Sequence, residues 1–147
     1  MKRGSQLGFE IKWRWLVVVL LPWAAVLSAS EGVCQPACEV MSANGHFHLR
    51  VLPEDGKVPL NSHHSWIIEV ESDVGDPVEL RGLAVSGGMP AHGHGLPSQP
   101  RVTEYLGGGR YRVDGLMFNM HGEWQLNLSL SDGVAQDHAT LVFNLDY

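Results

Sequence analysis

Trp124-Gln125-Leu126-Asn127-Leu128-Ser129-Leu130 carries an apolar residue at every second position. That two-residue period excludes an amphipathic helix and calls for a strand with one face in a core and the other in water. The chain from Gly45 onward follows the same rule. Short runs at His46–Leu52, Ser65–Glu71, Val78–Ser86, Arg101–Leu106, Arg110–Phe118, Glu123–Ser131 and Ala135–Leu145 are separated by turn-forming clusters such as Pro53-Glu54-Asp55-Gly56 and Ser131-Asp132-Gly133. Ile67 and Val70 lack a common parity, so the strand over Ser65–Glu71 contains a bulge or is buried on both faces. No segment shows a helical period and no repeat is visible. About seven strands in about 100 residues predict an all-β fold, an antiparallel sandwich of immunoglobulin-like size.

The 147 residues leave space for one such domain. Ahead of it, the bases Lys2, Arg3, Lys12 and Arg14 flank a thirteen-residue apolar run, Trp15 to Leu27, and Ser28-Ala29-Ser30 precedes Glu31. This is the layout of a secretory signal peptide. A spanning helix needs about 20 apolar residues, and this run is shorter and contains Pro22. The expected organisation is a signal peptide over 1–30, a Cys-containing segment over 31–44 and the sandwich over 45–147. The expected location is the periplasm, the alternative being an uncleaved segment anchored in the inner membrane. In that oxidising space Cys34 and Cys38 could close a small disulfide or form a secondary soft-metal pair. From Glu31 on, 6 bases face 15 acids, a surface that repels phosphate backbones and excludes nucleic acid as a partner.

One connection departs from the short-turn pattern. Gly87 to Pro100 contains four Gly and three Pro within fourteen residues, a length that in a small domain is usually functional or disordered, and the composition argues against disorder. Glycine lets the backbone turn sharply and proline stiffens what lies between, so the stretch suits the holding of ligands. It presents Met89, His92 and His94. A second group, Met117-Phe118-Asn119-Met120-His121-Gly122-Glu123-Trp124, lies at the end of one strand and the turn into the next. Thioether is a soft donor and imidazole a borderline one, so a mixed His/Met set selects copper, Cu(I) above all. Blue-copper chemistry needs a Cys among the ligands, and no Cys follows position 38. No nucleophile elbow is present and no enzyme activity is expected.

The residues Gly87-Gly88-Met89-Pro90-x-His92-Gly93-His94-Gly95-Leu96-Pro97-x-Gln99-Pro100, with Gly109-x-Tyr111-x-Val113-x-Gly115-Leu116-x-Phe118-x-Met120-x-Gly122-x-Trp124, resemble the YtkA-like group, also labelled FixH-like, of small exported or membrane-anchored bacterial domains. Pro59-Leu60-Asn61-x-x-His64-x-Trp66 extends the resemblance toward the N-terminus. It implies an immunoglobulin-like or cupredoxin-like sandwich and roles near periplasmic copper handling and respiratory oxidase assembly.

The resulting expectation is a periplasmic copper-binding protein, a metallochaperone or an accessory of oxidase assembly or copper homeostasis. His92 and His94 are the nitrogen ligands, Met89 and Met120 the soft ones, with His64 or His121 as a further donor. The partner would be a membrane-bound respiratory or copper-transport complex, with no small-molecule substrate identified. The alternative is a module without metal whose Gly/Pro loop docks onto a membrane complex.

Overall fold

A computed structural model describes residues 37–145. Among these residues there are nine strands, β1 (Cys38–Met41), β2 (Phe47–Pro53), β3 (His64–Ser72), β4 (Gly82–Met89), β5 (His94–Gly95), β6 (Arg101–Gly107), β7 (Arg110–Leu116), β8 (Gly122–Ser131) and β9 (Gln136–Leu145), and one 3-10 turn, Pro90–His92. They form two antiparallel sheets in the orders β1-β2-β3-β7-β6 and β5-β4-β8-β9. The two sheets make the all-β sandwich that the alternation predicted. The signal peptide and Cys34 lie outside the described residues, and no helix among the described residues is long and apolar enough to cross a membrane.

The alternation converts directly into the core. Trp124, Leu126, Leu128 and Leu130 of β8 face inward with Ala139, Leu141 and Phe143 of β9, and meet Phe47, Leu49 and Val51 of β2 and Trp66, Ile68 and Val70 of β3. In β3 both expected irregularities are present. Its register with β7 slips between His64 and Trp66, and Ile67 is buried on the outer face, level with Leu52 and Arg112.

Three boundaries differ from expectation. Cys38–Met41, placed ahead of the domain by sequence, is an edge strand of the sandwich paired to β2. The strand expected at Val78–Ser86 begins at Gly82 and runs on to Met89. The Tyr111 hydroxyl holds residues 78–80 out of the sheet, accepting from Leu80 N at 2.5 Å and donating to the Val78 carbonyl at 3.3 Å. Gly87 and Gly88, read as loop, pair with Leu126 and Gln125 of β8. Finally, β5 is a strand of two residues folded back on β4.

Strand direction gathers the ends into two poles. One pole holds the start of β3, the ends of β4, β7 and β9, the start of β8 and all of β5. There the Leu60–Ser62 segment crosses Phe118 through a Leu60–Phe118 bridge, with Asn61 N donating to the Phe118 carbonyl at 2.8 Å.

The opposite pole is tied by Asp137, whose side chain is wholly buried. It accepts from Asn44 N at 3.1 Å, Asn44 Nδ2 at 3.0 Å and His138 N at 2.8 Å, and lies 3.2 Å from His46 Nδ1. Burial alone would raise this carboxyl. The hydrogen bonds from Ser42 and from the backbone N–H groups of His138, Asn44 and His46 outweigh it and hold the group far below the usual carboxylate range.

Candidate metal centre

The hairpin that carries His92 and His94 is made by three glycines and a proline. β4 ends at Met89, Pro90 opens the 3-10 turn, and Gly93 closes it in the left-handed region at φ +69°, its N–H donating to the Pro90 carbonyl. The chain then returns as β5, with Met89 opposite His94 and Gly88 opposite Gly95. Leu96 N donates to the Gly87 carbonyl at 2.9 Å and extends the pairing. The approach is so close that a Cβ on Gly88 would lie 2.3 Å from the His94 carbonyl oxygen. Only glycine admits it.

This construction brings the two imidazoles together. The rings of His92 and His94 have centroids 6.1 Å apart and planes inclined at 42°, and both side chains are exposed. His94 Nδ1 lies 2.9 Å from the Gly95 carbonyl. A carbonyl can only accept, so Nδ1 carries the proton and Nε2 keeps its lone pair for another partner. The His94 ring packs edge-on against Trp124, 5.9 Å away at 68°. Trp124 is itself fixed, its Nε1–H donating to the Met120 carbonyl at 3.0 Å.

The two groups singled out in the sequence therefore meet at one pole. Met89 is 1% exposed, and its methyl lies 3.1 Å from where a Cβ on Gly122 would stand. In an antiparallel ladder directly opposed residues share a face, so the buried Met89 and the exposed His94 project from the same side of the sheet. Met120 is half-buried against the core. His121 is exposed, with Nδ1 donating to the Leu145 carbonyl at 3.3 Å.

His64 is half-buried, and the rings of Phe118 and Trp124 connect it to His94 at centroid distances of 5.3, 5.0 and 5.9 Å in turn. Burial pushes its pKa below the ordinary value, against the hydrogen bond to Ser62 and with a smaller push from neighbouring His63. Among the described residues, no three His, Cys, Asp or Glu side chains gather about a common point. The structure thus pairs His92 with His94 and sets His64 and His121 apart from them. Cys38 is buried in the core and disulfide-bonded.

Two features escaped sequence reasoning. Trp124 was legible as an inward residue, but not as the surface on which His94 rests, because that contact exists only once β5 has folded onto β4. Asp137 was an inward position occupied by a charge in a strand otherwise reading as core, and that break in the pattern was the available signal.

A family model described as YtkA-like matches residues 41–129, more than half of the chain. No curated protein and no solved structure matches it.

Proposed function

The chain belongs to the YtkA-like family, and on that premise we propose that it is an exported, periplasmic copper-binding protein that carries copper to or from a membrane-bound respiratory or copper-transport complex. The observation that supports this is the His92–His94 pair. It consists of two exposed imidazoles 6.1 Å apart on a braced hairpin, one with its Nδ1 proton committed to a carbonyl. The donor chemistry fits copper. Imidazole suits several transition metals, and Met89, buried in the core, and Met120, half-buried against it, lie at the same pole as candidate soft donors, a combination that would favour a soft ion.

A site with two accessible nitrogens leaves positions open for a partner's ligands. Exchange, and not permanent residence, is what such a shell supports. Because the imidazoles must be neutral to ligate, binding weakens in acid.

The test is a competition titration of Cu(I) against a chromophoric chelator. His92→Ala/His94→Ala protein should lose at least about tenfold in affinity, the order of loss seen when a metal site is disturbed. Parental affinity in the double variant would sink the proposal and leave the hairpin as a protein contact.

A further inference from the structure

Two ring nitrogens at the His-bearing pole are closed off from solvent and have no hydrogen-bond partner among the described residues. They are His64 Nε2 and Trp66 Nε1. The residues stand two apart at the start of β3, with ring centroids 6.3 Å apart. Their chemistry is complementary. His64 Nδ1 lies 3.1 Å from the Ser62 carbonyl, so the proton sits on Nδ1 and Nε2 presents a lone pair, whereas the indole N–H can only donate. Phe118, 5.3 Å from the His64 ring and 6.0 Å from the Trp66 ring, supplies no polar group to either. Buried polar groups in folded proteins are nearly always satisfied, so the pair demands an occupant.

We infer that the two atoms share one small hydroxylic ligand, a water molecule in the purified protein, which accepts from Trp66 Nε1–H and donates to His64 Nε2. A cation answers only half of the demand. It would bind the His64 lone pair but face the positive end of the indole N–H, leaving that donor buried and unmade. A hydroxylic oxygen satisfies both, accepting one hydrogen bond and donating another, each of about 2.9 Å. His64 is thereby engaged inside the fold, and the metal-facing nitrogens of this pole are those of the hairpin.

The experiment is NMR on the intact protein, with the Trp66 indole resonance assigned by its loss in Trp66→Phe. The expected result is a cross-peak between a long-lived water and the Trp66 Nε1 proton, together with a His64 Nε2 resonance that one equivalent of Cu(I) does not move. No water cross-peak, or a His64 Nε2 shift on Cu(I) addition, overturns the inference, the second result making His64 a metal ligand. If Cu(I) fails to bind the protein at all, the copper reading falls while the water cross-peak still decides this one. A stability cycle gives a second measurement. His64→Phe and Trp66→Phe should each lower the folding equilibrium constant by about tenfold, and the double variant by clearly less than the product. Additive losses count against a shared ligand.

Discussion

Replacing Gly88 with alanine places a methyl carbon 2.3 Å from the His94 carbonyl oxygen and 2.7 Å from the Gly95 Cα. Ordinary contact begins at 3.4 Å, so β5 has to withdraw by about 1 Å, and the obstructing atoms are backbone with no side-chain torsion to relieve them. Overpacking of this kind costs about 1–3 kcal/mol. A two-residue strand is held by a few main-chain hydrogen bonds with a net worth of about 1 kcal/mol each, so the hairpin should detach before the sandwich does.

Two neighbouring glycines provide the scale. A Cβ on Gly95 would meet the Gly87 carbonyl at 3.5 Å, an ordinary contact, and one on Gly93 meets nothing but sits at φ +69°, which costs a non-glycine residue about 1–2 kcal/mol. The expected order of damage is therefore Gly95→Ala below Gly93→Ala below Gly88→Ala. Urea denaturation followed by tryptophan emission reads the fold, and Cu(I) competition reads the site. Gly88→Ala should keep a cooperative transition and lose about 10–100-fold in Cu(I) affinity. Parental affinity in Gly88→Ala would refute the claim that this close approach sets the imidazole pair, and so would collapse of the whole sandwich.

Tyr111→Phe removes the hydroxyl that accepts from Leu80 N and donates to the Val78 carbonyl. It should cost about 1–2 kcal/mol and be seen as a lower urea midpoint with an unchanged slope. The stability of the protein should also fall as the solution is acidified toward pH 2. Hydrogen bonds from Ser65, Thr103 and Arg112 lower the Asp114 carboxyl to about 2 from its ordinary 3.8, and Asp137 is depressed further by its own set of donors. Both folded values lie below the unfolded ones, so their contribution is complete above the unfolded value and disappears as pH drops through the folded one. Asp114→Asn should flatten that acid limb in a pH series of denaturation midpoints, and an unchanged limb would show that Asp114 does not contribute to it.

Strands were legible where one face is buried. From β8 the alternation reads off Trp124 through Leu130 without ambiguity, and every residue it assigns inward is buried. β1 and β5, with four and two residues, are too short to establish a period. β5 in addition exists only because Gly88 lets one backbone lie on another, a constraint that involves two separated glycines and no pattern. The start of β4 was misplaced because Val78 and Leu80 are apolar and β-prone, and it is the Tyr111 hydroxyl, 31 residues from Leu80, that pulls them out of the ladder. At the candidate site, the closeness of His92 and His94 follows from the intervening Gly93 and was readable. The meeting of that hairpin with the Phe118–Trp124 turn depends on the order β5-β4-β8 within the sheet, which no local pattern encodes.

The two poles differ in how they are held together, and that difference bears on what each can do. At the far pole, one buried carboxylate fastens the β1–β2 turn to β9 through charged hydrogen bonds, each worth more than a neutral one. At the near pole, β5 rests on β4 through main-chain bonds and the close approach of Gly88 to Gly95, with the His94 ring packed edge-on against Trp124. Local opening free energies follow such contact density, so the hairpin is the first element to move and Asp137 among the last. A hairpin of low local stability can tilt toward a partner while the aromatic floor beneath it, Trp124 on Phe118 on Trp66 and Phe143, keeps the core closed. On the proposed function, an ion bound by two nitrogens would be released when a partner's ligands reached the open positions, and motion confined to the hairpin would give them access without unfolding the sandwich.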